Sequence, residues 1–223
     1  MASVRIAAVA DVHSPRFLNE FMAAISRCET PDIFLFAGDM INRGKSSEYP
    51  KVLDAVESLG SEFPIVACFG NEEPIACRDE LRQITQDRVV FLDESHATFS
   101  ISGKKVAIIG MSAGAKEPAS TQMTVNDDIR MAFEARAERL SQLLQKSHKQ
   151  AKHVILLMHF SPLLEDNSLE YSWWVSKALK KSSPTFIIHG HVHDRFKEKI
   201  EIGTTVIRNV ALPACGSVTE LTL

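Results

Sequence analysis

VRIAAVADVH, residues 4–13, is an apolar run that stops at an aspartate and a histidine two positions apart. Apolar residues at consecutive positions are typical of a strand that is buried on both faces of a sheet. In an extended chain, residues i and i+2 project to the same face, so Asp11 and His13 can reach one ligand together. The stretch therefore predicts a buried strand whose carboxyl end carries side chains suited to binding a metal ion.

Further short apolar runs follow along the chain, and most of them are rich in β-branched or aromatic residues. They are Ile33–Ala37, Pro64–Phe69, Val106–Ile109, His153–Met158 and Thr185–His189. Apolar residues at helical spacing separate them, over Phe17–Cys28, Val52–Leu59, about Asp128–His148 and onward from about Ser168. Ser14 and Pro15 indicate the N-cap and the first position of the first helix.

The pattern changes after residue 194, where strand-like segments follow one another without a helix. They are Arg195–Ile200, Thr204–Asn209 and Ser217–Leu223, separated by turn residues. The sequence thus predicts a β-α-β core that finishes in an antiparallel meander. Because no repeat or linker interrupts it, we expect residues 1–223 to form one domain. Met111–Asn126, rich in Ser, Ala, Gly and Thr, is predicted to be a mobile loop.

Composition excludes several classes of protein. A formal net charge of −3 argues against binding to nucleic acid through bulk charge. Four cysteines lie far apart without a C-x-x-C pair, which suits neither a zinc ribbon nor a disulfide scaffold and favours a reducing cytoplasm. The apolar run Val4–Ala10 is too short to be a signal peptide or to cross a membrane. We therefore expect a soluble, cytoplasmic protein that does not associate with membranes.

All but one of the predicted buried strands end in polar residues of a restricted kind. The strand ends are Asp11-Val12-His13, Gly38-Asp39, Gly70-Asn71-Glu72, His159 and Gly190-His191-Val192-His193. In open α/β sheets these carboxyl ends meet in one crevice, where ligands bind. Asp and neutral His are good ligands for divalent ions, and a glycine before Asp39, Asn71 and His191 permits close backbone approach. Asp39 could bridge two ions about 4 Å apart.

Each of these pieces has a structural interpretation when it is taken alone. Asp11 and His13 can be polar residues at a turn, Gly38-Asp39 is a common turn signal, and a lone His159 is more often a packed histidine than a ligand. Only for His191 and His193, taken together, are a metal site and a structural role about equally favoured. Their joint occurrence, in order and at strand ends, favours a metal centre.

The same residues resemble, in order, the motif set D-x-H, G-D, G-N-H, H and G-H-x-H of the calcineurin-like metallophosphoesterase superfamily. The resemblance extends from Asp11 to His193 and suggests a small member of the prokaryotic type. It implies an α/β fold, a four-layered α/β/β/α sandwich of mixed sheets. It also implies two divalent metal ions, Mn²⁺ first, with Fe or Zn²⁺ as alternatives.

Carried over to this chain, the resemblance implies specific ligands for each ion. One ion would be bound by Asp11, His13, Asp39 and His193, and the other by Asp39, Asn71, His159 and His191. The implied reaction is hydrolysis of a phosphomonoester or phosphodiester by a metal-bridging hydroxide, with Asp39, Asn71 and His159 acting through the metals and the phosphate. Arg43 is a candidate contact for the phosphate, and a solvated surface arginine is the alternative.

One position departs from the family pattern. Glu72, followed by Glu73, stands where the family usually has the histidine of G-N-H, which is thought to protonate the leaving group or to hold the phosphate. One interpretation is that Glu72 points away or pairs with a base such as Arg43 or Arg78. The other is that leaving-group protonation is weak, so that the enzyme prefers substrates with good leaving groups.

Two other function classes stay open. The first is a catalytically weak metal-binding scaffold or interaction protein on the same fold, which the departure at Glu72 keeps in view. The second is a nuclease, against which the short and slightly acidic chain argues. The expected partner is a small phosphoester; the substrate and the oligomeric state are not encoded visibly, and a homo-oligomer is compatible with the sequence.

Overall fold

The computed structural model of the protein describes residues 3–60, 62–113, 127–164, 169–194 and 198–223. Two β-sheets form its centre. The first contains β1 (Arg5–Val9), β2 (Ile33–Ala37), β3 (Ile65–Cys68), β4 (Val90–Phe91) and β11 (Thr219–Thr222). The second contains β5 (Ser95–Ile101), β6 (Lys104–Met111), β7 (His153–Met158), β8 (Phe186–His189), β9 (Lys199–Ile202) and β10 (Thr205–Asn209).

Sheet one has the order β11-β1-β2-β3-β4, and all its pairings are parallel except that of β11 with β1. Sheet two has the order β5-β6-β7-β8-β10-β9, with β6, β7, β8 and β10 parallel to one another. Its edge strands β5 and β9 are antiparallel to their neighbours. β2 is buried at every position, which explains why its sequence is a continuous apolar run.

Helices cover the outer faces of both sheets. They are α1 (Leu18–Ile25), α2 (Tyr49–Glu57), α3 (Ile75–Thr85), α4 (Asp127–Gln150), α5 (Trp173–Leu179) and the short α6 (Leu212–Cys215). One apolar core joins α1, α2 and α3 to sheet one, a second joins α4 and α5 to sheet two, and a third lies between the sheets. The predicted four-layered α/β/β/α sandwich of mixed sheets is therefore confirmed.

The layered packing brings strand ends of the two sheets together. At the end of β7, the backbone carbonyl of His159 accepts the N–H of Gly190, which follows β8, at 3.0 Å. The ring of His159 crosses to sheet one, where its Nδ1 lies 2.9 Å from the carbonyl oxygen of Ala37 at the end of β2. The polar residues that follow the strands consequently share one region at the carboxyl edge of both sheets.

Several predicted elements differ from the observed ones. The predicted antiparallel meander is wrong beyond β9 and β10, because β11 crosses to sheet one and pairs with β1, and β10 pairs with β8 in parallel. The first helix begins at Leu18 instead of Pro15, since the N–H and hydroxyl of Ser14 bond the Met40 carbonyl and the Glu48 carboxylate.

The pattern of the sequence also missed α3, β4 and β5. The helix predicted from about Ser168 begins at Trp173, and Ser168 lies outside the described residues. The same holds for residues 195–197 of the predicted strand Arg195–Ile200 and for residues 114–126 of the predicted loop. Among the described helices, including the long α4, none combines the length and apolar character required to cross a membrane.

Candidate metal centre

The three predicted ligands Asp11, Asp39 and His159 form the buried side of a polar cluster. Their exposed fractions are 1%, 1% and 0%. One ligand atom from each lies within 4.8 Å of the others. The short segments after β1 and β2 run side by side, because the Asp11 and His13 N–H groups donate to the carbonyls of Gly38 and Asp39 at 3.1 and 2.9 Å. This pairing fixes both aspartates at the edge of sheet one.

A second group of ligand atoms, from Asp11, His13 and His193, overlaps the first. The Nε2 atoms of His13 and His193 lie 3.5 and 3.3 Å from Asp11 Oδ1. Asp39 Oδ2 lies between the two groups, at 3.9 Å from His13 Nε2 and 3.3 Å from His159 Nε2. The two groups thus share Asp11, and Asp39 lies within 4 Å of a histidine from each group, an arrangement that suits a pair of adjacent cations.

The contacts of His159 show whether the cluster suits a cation. In a neutral imidazole one ring nitrogen carries hydrogen and the other a lone pair. Because Nδ1 faces the Ala37 carbonyl at 2.9 Å, it is the donor, and Nε2 then points its lone pair at Asn71 Oδ1 (3.0 Å) and Asp39 Oδ2 (3.3 Å). Electron-rich atoms this close in a buried setting repel one another unless a proton or a metal ion lies between them. The donor set therefore fits a divalent cation.

The pKa shifts of the cluster reflect the same excess of electron-rich groups. Burial would lower the pKa of His159, but the hydrogen bond to Asp39 and the charges of Asp39 and Asp11 raise it to about 9. Burial also opposes protonation of His13, whose pKa is nonetheless raised by Asp11 and Asp39. Burial would raise the pKa of Asp11, yet hydrogen bonds from His13 and His193 hold it well below its ordinary value. The cluster thus favours positive charge at His13 and His159.

Asn71, His191 and His193 form the open side of the cluster. All three residues are exposed, in contrast to the buried side. The ring of His191 lies 5.2 Å from that of His159, and the ring of His193 lies 5.8 Å from that of His13. The pKa of His191 is lowered by burial of its ring and by the neighbouring His159. All seven predicted metal ligands are therefore gathered in one place, with solvent access from one side.

The backbone of this region is strained and tightly packed. Asp11, His13, Asp39 and His191 have positive φ values of 59°, 44°, 55° and 68°, a conformation that costs about 1 kcal/mol or more for a residue with a Cβ. A Cβ added at Gly70 would lie 2.0 Å from Asp39 Oδ1, and one added at Gly190 would lie 2.4 Å from Asp11 Oδ2. Only glycine allows the backbone to come this close to the two carboxylates.

Glu73 braces this backbone from beneath, a role that the sequence did not reveal. It is 1% exposed, and its carboxylate accepts the N–H groups of Asp39 (2.8 Å), Met40 (2.6 Å), Ile41 (3.3 Å) and Gly70 (2.6 Å). Burial and the charge of Asp39 raise the pKa of Glu73 to about 7. Glu73 therefore ties the loop after β2 to the loop after β3.

Glu72 lies beside the cluster and is only partly buried. Its carboxylate accepts the backbone N–H of Arg43 at 2.6 Å, and its own N–H donates to Asp39 Oδ1 at 2.7 Å. Arg78 instead pairs with Asp93 at 3.0 Å and donates to the carbonyl of Glu73. Arg43 itself is exposed, with a φ of 50°. The carboxylate of Glu72 thus contacts the Arg43 backbone, whereas the Arg78 side chain binds Asp93.

Two further buried residues are the last residues of strands in sheet two. His189, at the end of β8, is 1% exposed; burial lowers its pKa to about 4, and its Nδ1 lies 2.9 Å from the Gly190 carbonyl oxygen. It is a neutral, packed histidine. Asn209, the last residue of β10, is 0% exposed and was also missed. The polar strand-end criterion that identified the ligands would have found it if applied to β10.

The family of the chain follows from comparison with known proteins. The family model described as calcineurin-like phosphoesterase matches residues 4–195, a span that contains all seven candidate ligands. The chain belongs to this metallophosphoesterase family. A search of curated proteins gives no significant match.

Solved structures with a similar fold include three from bacteria. TT1561 of Thermus thermophilus has a TM-score of 0.62 at 12% identity, with 98% of each chain covered. A novel phosphatase from Mycoplasma pneumoniae has a TM-score of 0.57 at 15% identity, and the match covers 95% of this chain and 72% of the phosphatase chain. The sulfate thiohydrolase SoxB of Thermus thermophilus has a TM-score of 0.52 at 17% identity. The match covers 84% of this chain and 35% of the SoxB chain. At these identities the similarity shows the fold alone.

Proposed function

We propose that the protein hydrolyses a phosphomonoester or phosphodiester with two divalent cations, Mn²⁺ being the first candidate and Fe or Zn²⁺ the alternatives. The observation that carries this proposal is the position of Asp39 Oδ2 between His13 and His159, at 3.9 and 3.3 Å from their Nε2 atoms. A carboxylate placed between imidazoles from two overlapping ligand groups suits a bridge between two ions. Membership of the phosphoesterase family supports the reaction class.

Each residue of the cluster would have a defined task. One ion would be held by Asp11, His13, Asp39 and His193, and the other by Asp39, Asn71, His159 and His191. The Ala37 carbonyl fixes the tautomer of His159 by accepting from Nδ1, which leaves Nε2 for the ion. When bound, such cations polarise phosphoryl oxygens and lower the pKa of coordinated water to about 7, so that no covalent protein nucleophile is needed.

The substrate would enter from the open side, past Asn71, His191 and His193. Arg43 stands exposed on this rim and is our candidate for contacting a phosphate oxygen. The same side distinguishes this chain from relatives with G-N-H, because Glu72 replaces the histidine. Its carboxylate accepts a backbone N–H from Arg43 at 2.6 Å and so acts as a hydrogen-bond acceptor where the family pattern has a donor.

From this replacement we infer a preference for substrates with good leaving groups. Glu72→His should then raise the rate on alkyl phosphate esters, whose leaving groups need protonation, by about tenfold or more, and change the rate on nitrophenyl esters little. Glu57→Gln, a change in a partly exposed ion pair on α2, serves as the control. Equal alkyl-ester rates in Glu72→His and wild type would refute the inferred preference.

The function itself is tested by a phosphoester screen. Protein stripped of metal and reloaded with Mn²⁺, Fe²⁺ or Zn²⁺ is assayed on monoesters and diesters while bound metal is measured. We expect two ions per chain and hydrolysis that is lost in Asp39→Asn. Bound metal without hydrolysis would favour the scaffold, cleavage of nucleic acid at moderate salt would favour a nuclease, and no bound metal would overturn the proposal.

A further inference from the structure

The turn formed by residues 190–193 has to aim two imidazoles in different directions. His193 faces Asp11 Oδ1 at 3.3 Å and the ring of His13. His191 faces the ring of His159 at 5.2 Å. Val192 is the residue between them, so the orientation of its peptide groups sets the angle between the two side chains.

This turn is held on its inner side by groups of the cluster. The N–H of Gly190 donates to the His159 carbonyl at 3.0 Å, and the N–H of His191 donates to Asp11 Oδ2 at 2.8 Å. His191 has a φ of 68°, a conformation that needs support from its surroundings. These bonds fix the start of the turn but leave the peptide that joins Val192 to His193 to be fixed from elsewhere.

Asn209 supplies that support from the opposite side. Its Nδ2 donates to the carbonyl oxygen of Val192 at 2.5 Å, while its Oδ1 accepts the N–H of Ala211 at 3.1 Å. The side chain is completely buried, and β10 places Asn209 in register with His189, the residue before the turn. The carboxamide therefore connects the turn to the chain segment that leaves sheet two.

We propose that Asn209 is a positioning residue for His191 and His193, which it orients through the Val192 carbonyl. The inference rests on the proposed function, because it assigns both histidines to the metal centre. A carboxamide suits the task because it donates at one end and accepts at the other. Aspartate at this place would present an acceptor to the Val192 carbonyl, and alanine would present nothing.

A purely structural role for Asn209 predicts a different result. A buried side chain that only satisfies backbone groups contributes to stability and has no separate effect on metal binding. A residue that orients metal ligands affects affinity, because ligand distances must be held to within about 0.2 Å, and loss of such a supporting partner typically costs about 10–100-fold.

Thr205 on the same strand provides a matched control. It is 1% exposed, and its hydroxyl donates to the carbonyl oxygen of Pro184 at 2.7 Å, at the end of β10 away from the turn. Thr205→Val therefore removes a buried side chain–backbone hydrogen bond of the same kind without touching residues 190–193. Asn209→Asp is a second variant, of unchanged size, in case Asn209→Ala does not fold.

The experiment measures Mn²⁺ stoichiometry and dissociation constants by calorimetry, and the free energy of unfolding in EDTA, for wild type and the variants. We expect all variants to lose stability, but only the Asn209 variants to bind Mn²⁺ about 10–100-fold more weakly. Dissociation constants of the folded Asn209 variant equal to those of Thr205→Val would overturn the inference. If wild type itself binds no Mn²⁺, the metal centre of the proposed function fails, and the inference fails with it.

Discussion

The two sheets contribute different chemistry to the cluster. The loops of sheet one supply both carboxylates, Asp11 and Asp39, together with His13 and Asn71, whereas the loops of sheet two supply only the imidazoles of His159, His191 and His193. The anionic charge of the centre therefore lies on one side of the sandwich. Bound cations would connect the two sheets across this edge, with both carboxylates coming from sheet one.

The loops are also supported in different ways. In sheet one a buried carboxylate, that of Glu73, accepts the N–H groups of Asp39 and Gly70. In sheet two a neutral carboxamide, that of Asn209, donates to Val192, and the carbonyl of Ala37 accepts from His159. The comparison indicates that sheet one contains the buried charges of the site, which are unfavourable without cations. The supports of the sheet-two ligands are neutral and mainly fix ligand orientation.

Substituting one metal ligand from each sheet, in separate variants, should give the largest change in metal affinity. Asp39→Asn removes a charge expected to serve both ions, so we expect affinity for both to fall by more than about 100-fold, beyond the range for supporting residues. His193→Ala removes a neutral ligand of one ion only, and should leave the other bound. Metal analysis after dialysis measures both. Equal losses in the two variants would break the proposed division between the sheets.

An intermediate effect is expected on the pH dependence of stability in metal-free protein. The pKa of Glu73 is about 7 in the folded protein, raised from an ordinary 4.5 by burial and by Asp39. A carboxyl group that holds its proton more tightly when folded stabilises the fold below about pH 4.5, and this contribution is lost as the pH rises to about 7. Glu73→Gln cannot titrate, so the stability change between about pH 5 and pH 8 should shrink by roughly 2–3 kcal/mol.

Denaturant unfolding in EDTA at several pH values makes this measurement. Asn209→Ala is the comparison from sheet two, since its carboxamide has no charge to lose, and its pH dependence should match that of wild type. A Glu73→Gln protein with the full pH dependence of wild type would contradict the electrostatic role assigned to sheet one.

The smallest effect concerns His153, at the opposite end of β7 from His159. Its pKa is lowered from 6.5 by burial and then by Lys152 and Lys104. The unfolded chain thus takes up this proton first, so His153 destabilises the fold only as the pH falls below about 6.5. A proton NMR titration should give a pKa for His153 below 6.5, and Lys152→Gln should raise that pKa. A wild-type pKa of His153 above 6.5 would contradict this prediction.

The strand-end residues were predictable because their signal is local. An apolar run followed by Gly-Asp or Gly-His places a polar side chain at a sheet edge whatever the rest of the chain does. Asp39 and His191 are examples. The layered fold was predicted from the family resemblance that these strand-end residues carry.

The remaining elements were missed because long-range packing determines them. β5 is only partly buried and pairs with β6 at the sheet edge, so its residues do not form an apolar run. The pairing of β11 with β1 depends on contacts across the whole chain. Glu73 looks like a surface acid beside Glu72, and only the folded loops show that its carboxylate faces several inward-pointing N–H groups.

The close approach of Gly70 and Gly190 to the two aspartates limits how this chain can vary. A methyl group at either position would displace a carboxylate oxygen, whereas a methyl group at Gly103 or Gly203 meets no atom within 4 Å. A saturation library selected for function should therefore tolerate no substitution at the first two positions. At Gly103 and Gly203, whose φ values of 77° and 60° disfavour most side chains, it should tolerate chiefly Asn and Asp. A design that transfers this centre to another scaffold must therefore keep Gly70 and Gly190 as well as the seven ligand residues.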